Sequence, residues 1–321
     1  LAVFARSDVS GELRFVEVQR DGVDGVSGLG AVSTVAVSPD GTGVYVATAG
    51  DSLVAFARDP ETGRLAFAQE LRNGAGGVTG LAGDSAVRVS PDAAHVYVAS
   101  RGDNAVAVFA RDPATSALAF LGEQRQGVNG VDGIAEASAL ALSADGRHVY
   151  VTGARGTLAL FARDVDTGEL GFVVAYVNRV SGIDGLGGAS AVEISPRGSH
   201  VYVAGFLDAA IAIFARNGTT GALGFLSVQR DAAGGSLAGV TALALSPDGE
   251  RLYSVSIGGA LSAFARSAGV GALTLLETYR DGVAGIDGLG GARSVVTAGD
   301  GRSIYVTGST DSAVAVFAAS D

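Results

Sequence analysis

Cysteine and lysine are both missing from this 321-residue chain, so all 22 of its basic residues are arginines. Without cysteine there is no disulfide framework and no thiolate chemistry. The 33 acidic residues give a net charge of −11. This charge argues against a nucleic-acid partner, because binding a phosphate backbone requires positive charge that displaces counterions. It argues equally against binding to an anionic membrane surface.

Long apolar runs are also missing. No stretch of about 18 consecutive apolar residues occurs, so the sequence predicts no membrane-spanning helix. The lack of cysteine is compatible with an exported bacterial protein as well as a cytosolic one, and the first residue is leucine rather than methionine, as in a processed chain. We therefore expect an extracellular, cell-surface or periplasmic location.

What the sequence does contain is a repeat. Hydrophobic residues make up 48% of the chain and glycines number 49, a mixture typical of an all-β protein with many turns. A short strand of the type VYVA recurs at intervals of 51 to 53 residues. Its tyrosines are Tyr45, Tyr97, Tyr150, Tyr202, Tyr253 and Tyr305. A fixed period of this length, built only from short strands, indicates a radial repeat or a solenoid.

Each repeat predicts four strands separated by turns. In the first complete copy these are Ala31–Ser38, Val44–Ala47, Leu53–Arg58 and Leu65–Arg72, with the turn sequences SPDG and DPETG between them. Four antiparallel strands repeated radially are a β-propeller blade. A β-solenoid is the alternative, but its coils usually repeat at about half this length. The sequence therefore predicts an all-β fold, a six-bladed β-propeller of four-stranded antiparallel blades that forms a single domain over residues 1–321.

The third strand, of the type VAVFA, occurs seven times, whereas each of the other strands occurs six times. Six blades hold 24 strands, so one strand is left over. We expect strands from both termini to close the ring, with Ala313–Phe317 pairing with Leu13–Arg20, which leaves Leu1–Arg6 as the surplus third-strand copy. An unpaired strand of this kind could mediate self-association.

The segment Ser38–Leu65, SPDGTGVYVATAGDSLVAFARDPETGRL, resembles the repeat of the YVTN and lactonase-like β-propeller family of bacteria. The resemblance covers essentially the whole chain. It implies a propeller fold. It also implies a function among those of the family, which includes sugar-lactone hydrolases and surface-layer propellers. Family lactonases usually have seven blades, whereas the repeat count here is six. No catalytic residue can be matched one by one, so the catalytic residues stay unknown.

The candidate binding residues lie in the loops that join the fourth strand of one copy to the first strand of the next. We expect these loops to form the rim on one face, where loops from several blades converge. The recurring charged residues are Arg20, Arg72, Arg125, Arg179, Arg230 and Arg280, which end the fourth strand, and Asp132, Asp184 and Asp287 inside the loop. A ring of carboxylates could hold calcium, but turn-stabilising and ion-pairing roles explain the same residues. The prediction is therefore no metal and no cofactor, with calcium as the open alternative.

His95, His148 and His200 occupy equivalent places before the tyrosine strand, and we interpret them as solvated turn residues rather than zinc ligands. The fifth copy departs most, with the rim loop DAAGGSLAG from Asp231 to Gly239. Two functions remain open. The first is a rigid platform that binds protein or glycan. Near-identical blades favour it, because they do not form the asymmetric pocket that an enzyme needs. The alternative is a lactone hydrolase.

Overall fold

In the computed structural model, residues 1–231 and 235–319 are described, apart from the side chains of residues 84 and 85. The described residues form 25 β-strands, and none of them forms a helix. The strands make seven antiparallel sheets, five with four strands, one with three and one with two. The predicted fold class, an all-β chain with six blades of antiparallel strands arranged as a β-propeller, is confirmed.

The chain divides into two compact units, Leu1–Gly153 with Ala159–Ala175 and Ala154–Leu158 with Tyr176–Asp321. A two-stranded sheet comes first, formed by β1 (Ala2–Arg6) and β2 (Leu13–Val18). Blade 1 contains β3 (Val32–Val37), β4 (Gly43–Thr48), β5 (Ser52–Arg58) and β6 (Leu65–Arg72). Blade 2 contains β7 (Asp84–Val89), β8 (His95–Ser100), β9 (Ala105–Arg111) and β10 (Leu118–Arg125).

The remaining four blades follow the same order. Blade 3 contains β11 (Ala137–Leu142), β12 (His148–Gly153), β13 (Thr157–Arg163) and β14 (Leu170–Val177). Blade 4 contains β15 (Ala189–Ile194), β16 (His200–Gly205), β17 (Ala210–Arg216) and β18 (Leu223–Arg230). Blade 5 contains β19 (Val240–Leu245), β20 (Arg251–Ser256), β21 (Ala260–Arg266) and β22 (Leu273–Arg280). Blade 6 contains β23 (Ala292–Thr297), β24 (Ser303–Gly308) and β25 (Ala313–Ala318).

The turn between the first and second strands shows how the sequence closes each hairpin. In blade 1 the Gly41 N–H donates to the Ser38 carbonyl at 2.8 Å, and the Ser38 hydroxyl accepts the Gly43 N–H at 2.8 Å. Gly41 has a φ of +72°, a conformation that glycine adopts without a steric penalty. The SPDG sequence therefore fixes both the turn and the register of the strands that it joins.

Within each unit, the core lies between the faces of neighbouring blades. In the first unit, Tyr45 and Leu53 of blade 1 pack against Val96 and Phe109 of blade 2, and all four are fully buried. In the second unit, blades 4 and 5 pack in the same way. Full burial of each such side chain contributes roughly 2 kcal/mol.

A recurring polar contact joins the same faces, and we call it the tyrosine–arginine lock. In the lock between blades 2 and 3, the Tyr97 hydroxyl donates to the Gly168 carbonyl at 2.8 Å, and it accepts the Nε–H of Arg163 at 2.6 Å. Each lock joins the tyrosine of one blade to the third-strand arginine and the following turn of the next blade. Equivalent locks pair Tyr45 with Arg111 and Ser116, and Tyr202 with Arg266 and Gly271.

The terminal strands pair differently from the prediction. β2 pairs with β1, from Ala2 opposite Val18 to Arg6 opposite Leu13, and β25 pairs with β24 in a three-stranded sheet. The predicted pairing of Ala313–Phe317 with Leu13–Arg20 is therefore wrong. A short turn joins β1 to β2, so this hairpin loses much less chain entropy than a contact across the whole sequence.

The buried tyrosine of blade 5 has no lock. The Tyr253 hydroxyl is buried and has no hydrogen-bond partner among the described residues. In the next blade, blade 6, Ala319 stands at the position that the third-strand arginine occupies in the other blades. Tyr97 and Tyr253 are thus a matched pair of buried tyrosines, one with its hydroxyl bonded twice and one with its hydroxyl unbonded.

We expect Tyr97→Phe to lower the free energy of unfolding by about 1–3 kcal/mol, because it leaves a buried arginine N–H and a buried carbonyl without partners. Tyr253→Phe should leave stability unchanged or raise it, since the hydroxyl that it removes makes no hydrogen bond. Denaturant unfolding of both variants against the unmodified protein measures this difference. Equal losses in the two variants would show that the lock does not stabilise the blades.

Candidate functional site

The loop from the fourth strand to the first strand of the next blade is held by a side chain that the sequence interpretation overlooked. In blade 2 the entering loop begins at Asn73, whose Oδ1 accepts the backbone N–H of Leu81, eight residues further on. The same eight-residue contact begins at Asp21, Gln126, Asn178 and Asp281. Its signal in the sequence is an Asp, Asn or Gln at the same loop position in each copy, which fixes the loop shape.

The loop between the second and third strands lies against that first loop. In blade 2 the Asp103 carboxylate accepts the Ala82 N–H at 2.9 Å and the Asn73 side-chain N–H at 3.1 Å. In blade 4, Asp208 binds the corresponding loop groups. Arg101, two residues before Asp103, forms an ion pair with Glu136 at 3.0 Å. These carboxylates at the loop end of the blades therefore accept hydrogen bonds from backbone N–H groups of the neighbouring loop.

Two of the predicted rim arginines, Arg72 and Arg125, form ion pairs within their own blades. Arg72 pairs with Glu70 at 2.6 Å, within its own strand. Arg125 pairs with Glu123 at 2.9 Å and with Asp103 at 3.3 Å. Arg280 ends β22 as predicted.

Arg230 forms an ion pair in which both side chains are exposed to solvent. Arg230 Nη2 lies 2.7 Å from the Asp184 carboxylate, and the two side chains are 42% and 44% exposed. The other guanidinium nitrogen donates to the Asp208 carbonyl at 2.9 Å. The hydrogen bond that Arg230 donates to the Asp184 carboxylate holds the pKa of Asp184 below its ordinary value, so the carboxylate is ionised at neutral pH.

Two arginines do not end a strand as predicted. β14 ends at Val177, and Arg179 lies in the loop at a φ of +62°, where most other copies have glycine. Val177 stands at the position of the fourth-strand arginine in this copy, and Arg179 follows two residues later, in the loop. β2 ends at Val18, two residues before Arg20. Arg179 is 80% exposed and lies 3.8 Å from Asp208.

The predicted aspartates Asp132, Asp184 and Asp287 each accept the backbone N–H of the glycine that follows. Asp132 also accepts an amide N–H of Gln126 at 2.7 Å. These contacts match the structural interpretation of the repeated acids. In the divergent fifth copy, the Asp231 carboxylate accepts the Leu237 N–H and the Ser236 hydroxyl, while residues 232–234 of that loop lie outside the described residues.

One acidic group could hold a cation. The carboxylates of Asp281, Asp287 and Asp311 have oxygen atoms within 4.8 Å of one another. In two other blades the residue at the position of Asp281 is an asparagine, which donates an N–H to the neighbouring aspartate. A carboxylate at that position offers no such donor. Calcium, however, takes six to eight oxygen ligands, and each of these three carboxylates already accepts a backbone N–H.

The histidines are buried, so the prediction of solvated turn residues is wrong. The exposed fractions of His95, His148 and His200 are 5%, 5% and 4%. Each begins the second strand of its blade. Among these, the rings of His95 and His200 occupy the space beside Gly168 and Gly271, where an added Cβ would meet them at 2.2 and 2.4 Å. The local sequence could not show that a neighbouring blade covers these side chains.

We expect isothermal calorimetry to detect no micromolar binding of calcium, because the three carboxylates of Asp281, Asp287 and Asp311 are engaged with backbone. The matched control is Asp132→Asn, in a loop without such a cluster. Micromolar affinity that disappears in Asp287→Asn and persists in Asp132→Asn would establish a calcium site and overturn this prediction.

Comparison with solved structures supports the fold along the full chain. A candidate 6-phosphogluconolactonase of Bacteroides uniformis is 17% identical, with a TM-score of 0.79 over 100% of this chain and 88% of that one. The periplasmic gluconolactonase of Pseudomonas aeruginosa is 22% identical, with a TM-score of 0.68 over 88% and 77% of the two chains. The β-propeller domain of Cps50 (Swd1) from Myceliophteria thermophila is 13% identical, with a TM-score of 0.68 over 99% and 91%.

None of the curated protein sequences compared with the chain matches it. Within the described residues, no helix is long and apolar enough to cross a membrane. The family model described as "Lactonase, 7-bladed beta-propeller" matches residues 35–184 and 126–236. These matches together cover more than half of the chain, including most of blade 1 and all of blades 2 to 4. By this match, the protein belongs to the lactonase family of β-propellers.

Proposed function

We propose that this protein is a hydrolase of sugar lactones, the second of the two functions that the sequence left open. The observation that carries the proposal is the family match over residues 35–236. Two of the similar solved structures are described as a gluconolactonase and a candidate 6-phosphogluconolactonase, which supports a cyclic ester of a sugar acid as the substrate class. No comparable observation favours the platform for protein or glycan.

Lactone hydrolysis makes two demands on a site. Water attacks the carbonyl carbon while a base takes its proton, and negative charge develops on the carbonyl oxygen. The bond from the carbonyl carbon to the ring oxygen then breaks, and the ring oxygen takes up a proton. A carboxylate that is ionised at neutral pH can act as the base, and a guanidinium can stabilise the oxyanion.

We assign these roles to Asp184 and Arg230. They are held 2.7 Å apart, and both remain open enough to meet a ligand. The Arg230 hydrogen bond to the Asp208 carbonyl fixes the direction of its guanidinium. In the assigned mechanism, Asp184 orients and deprotonates the attacking water, and Arg230 stabilises the carbonyl oxygen. The pair at Arg125 is less suitable, because two carboxylates already surround that guanidinium.

The charge of the protein favours a neutral lactone over a phosphorylated one. The net charge is −11 and no lysine is present. Of the rim arginines, Arg72, Arg125 and Arg230 are each paired with a carboxylate. A phosphate group bound at any of these three arginines would have to displace its carboxylate, at a cost in Coulomb energy. We therefore assign an uncharged aldonolactone as the substrate.

We expect a panel of uncharged and phosphorylated aldonolactones, followed by acid release in a pH-indicator assay, to show hydrolysis of the uncharged compounds first. Asp184→Asn should lower kcat/KM by about 100-fold or more, as loss of a general base does. Asp132→Asn, at the same loop position of another blade, should retain full activity. Absence of turnover on every lactone would refute the proposed function.

The pH profile gives a second measurement on the same site. Because the pKa of Asp184 is lowered by Arg230, the base stays ionised as the pH falls. We expect kcat/KM to remain level down to about pH 4, the ordinary aspartate range, and to fall only below it. A decline that begins near pH 6 while the protein stays folded would point to a different base.

A further inference from the structure

Two of the tyrosine–arginine locks contain a buried histidine. The ring of His95 lies in the lock formed by Tyr97 and Arg163, and the ring of His200 lies in the lock formed by Tyr202 and Arg266. The two rings are 5% and 4% exposed. Neither ring takes part in the proposed lactone chemistry, which is placed at the loop end of the blades.

The hydrogen bonds define the protonation state of both rings. Arg163 Nη2 lies 2.8 Å from His95 Nδ1, and Arg266 Nη2 lies 2.9 Å from His200 Nδ1. A guanidinium has only donors, so Nδ1 must be the acceptor in each pair and must carry no proton. Both histidines are therefore neutral in the closed lock.

Protonation would change each lock at the residue that holds it together. A proton on Nδ1 removes the acceptor and places a second positive charge beside the guanidinium. That guanidinium is buried and also holds the tyrosine hydroxyl, at 2.6 Å in both locks. Loss of a partner by a buried charge is strongly destabilising, so the contact between the two blades weakens when the ring charges.

The lock between blades 1 and 2 has no histidine. Gly43 stands at that position, and Arg111 donates to the Asp40 carboxylate at 2.8 Å and to the Thr42 hydroxyl at 2.6 Å. A carboxylate alone does not distinguish the two forms, because Arg163 also donates to the Asp92 carboxylate at 2.8 Å, beside His95. Burial opposes ionisation of Asp40, but hydrogen bonds from Ser38, Thr42 and Arg111 hold its pKa well below the ordinary range. No group in this lock changes charge between pH 7 and pH 5.

The turn of the next blade that lies against this position also differs between the locks with histidine and the lock without it. Gly168 and Gly271 face the two histidine rings, which leave no room for a Cβ, whereas Ser116 faces Gly43 and donates its hydroxyl to the Thr42 carbonyl. Two forms of one contact are therefore built into this chain. One form contains a titratable ring and a glycine, and the other contains a glycine and a serine.

We propose that the His95 and His200 locks are an acid-sensitive switch, in which protonation of the rings in mild acid loosens the contact between blades 2 and 3 and between blades 4 and 5. The lock between blades 1 and 2 stays closed over the same range. Mild acid would thus act on two particular blade interfaces before it acts on the rest of the protein.

The charges around each ring set the order of response. Burial first, and then Arg163, lower the pKa of His95, while Asp92 and Asp164 oppose that shift. Burial and Arg266 lower the pKa of His200. Around His200 the sequence has Arg197 and Ser267 where the other lock has Asp92 and Asp164. Tyr97 and Tyr202 share the locks but stay neutral, since burial raises their pKa.

The sign of the stability change follows from linkage. In the unfolded chain each histidine binds a proton near pH 6.5, whereas in the folded chain it binds one only at lower pH. The unfolded state therefore holds more protons across this window, so stability falls as the pH drops from about 6.5 through the folded-state pKa values. The stability lost by protonating Asp92, whose pKa is also lowered, lies below about pH 4.

The test compares the unmodified protein with His95→Asn, His200→Asn and the double variant. The Asn Oδ1 can accept the same arginine N–H but cannot titrate. Between pH 7.5 and pH 5 we expect the Tm of the unmodified protein to fall by at least about 3 °C more than that of the double variant, with each single variant intermediate. Equal pH dependence of the unmodified protein and the double variant would overturn the proposal.

Hydrogen exchange locates the change. Protection factors in β8, β13, β16 and β21 should fall at least several-fold more than those in β4 and β9 over the same pH range. Histidine ring NMR signals should titrate below pH 6.5, with His200 titrating below His95. If the double variant does not fold, the exchange and NMR measurements on the unmodified protein still decide. A uniform loss of protection across all three locks would contradict the switch.

Discussion

Contact between the faces of neighbouring blades is the interaction on which the rest of this structure depends. A single four-stranded sheet of this kind exposes two apolar faces, and it becomes stable only when other sheets cover both. Small and β-branched side chains fill most of each interface, and the tyrosine–arginine lock adds one buried polar contact. Because Tyr97 both donates and accepts, it fixes the position of the next blade's third strand and of the turn that follows.

The loop end of the blades shows how the same repetition limits function. Carboxylates there are numerous, yet nearly all of those described accept backbone N–H groups within the loops. A repeated acid such as Asp132 is explained by the glycine N–H beside it. A side chain becomes available for chemistry only where the local pairing is more open, as at Arg230 and Asp184. Asp184 and Arg230 occupy repeated positions, so what distinguishes them is the exposure of their ion pair rather than their residue types.

The histidines illustrate a departure from the repeat. Three of the six tyrosine strands begin with histidine and one begins with glycine, although the blades otherwise agree closely. The arginine binds an imidazole nitrogen in the His200 lock, a carboxylate in the lock between blades 1 and 2, and both kinds of acceptor in the His95 lock. The two solutions are similar in geometry and different in their response to pH, since imidazole titrates near neutrality and aspartate does not. A change of one acceptor is thus enough to make one blade interface acid-sensitive and leave another unaffected.

The sequence by itself determined the strands, their order within a blade, the turns and the alternation that buries both faces of a sheet, because these follow from local patterns such as SPDG, VYVA and VAVFA. It also indicated the loops where charged residues recur. Only the tertiary structure decided which of those residues touch each other. The burial of His95, the displacement of Arg179 from its expected strand end and the pairing of β2 with β1 rather than with β25 all depend on which segment lies beside which. Because every copy of the repeat has the same local preferences, the sequence cannot show which of several equivalent segments a given strand or side chain will contact. Packing in three dimensions selects one of them.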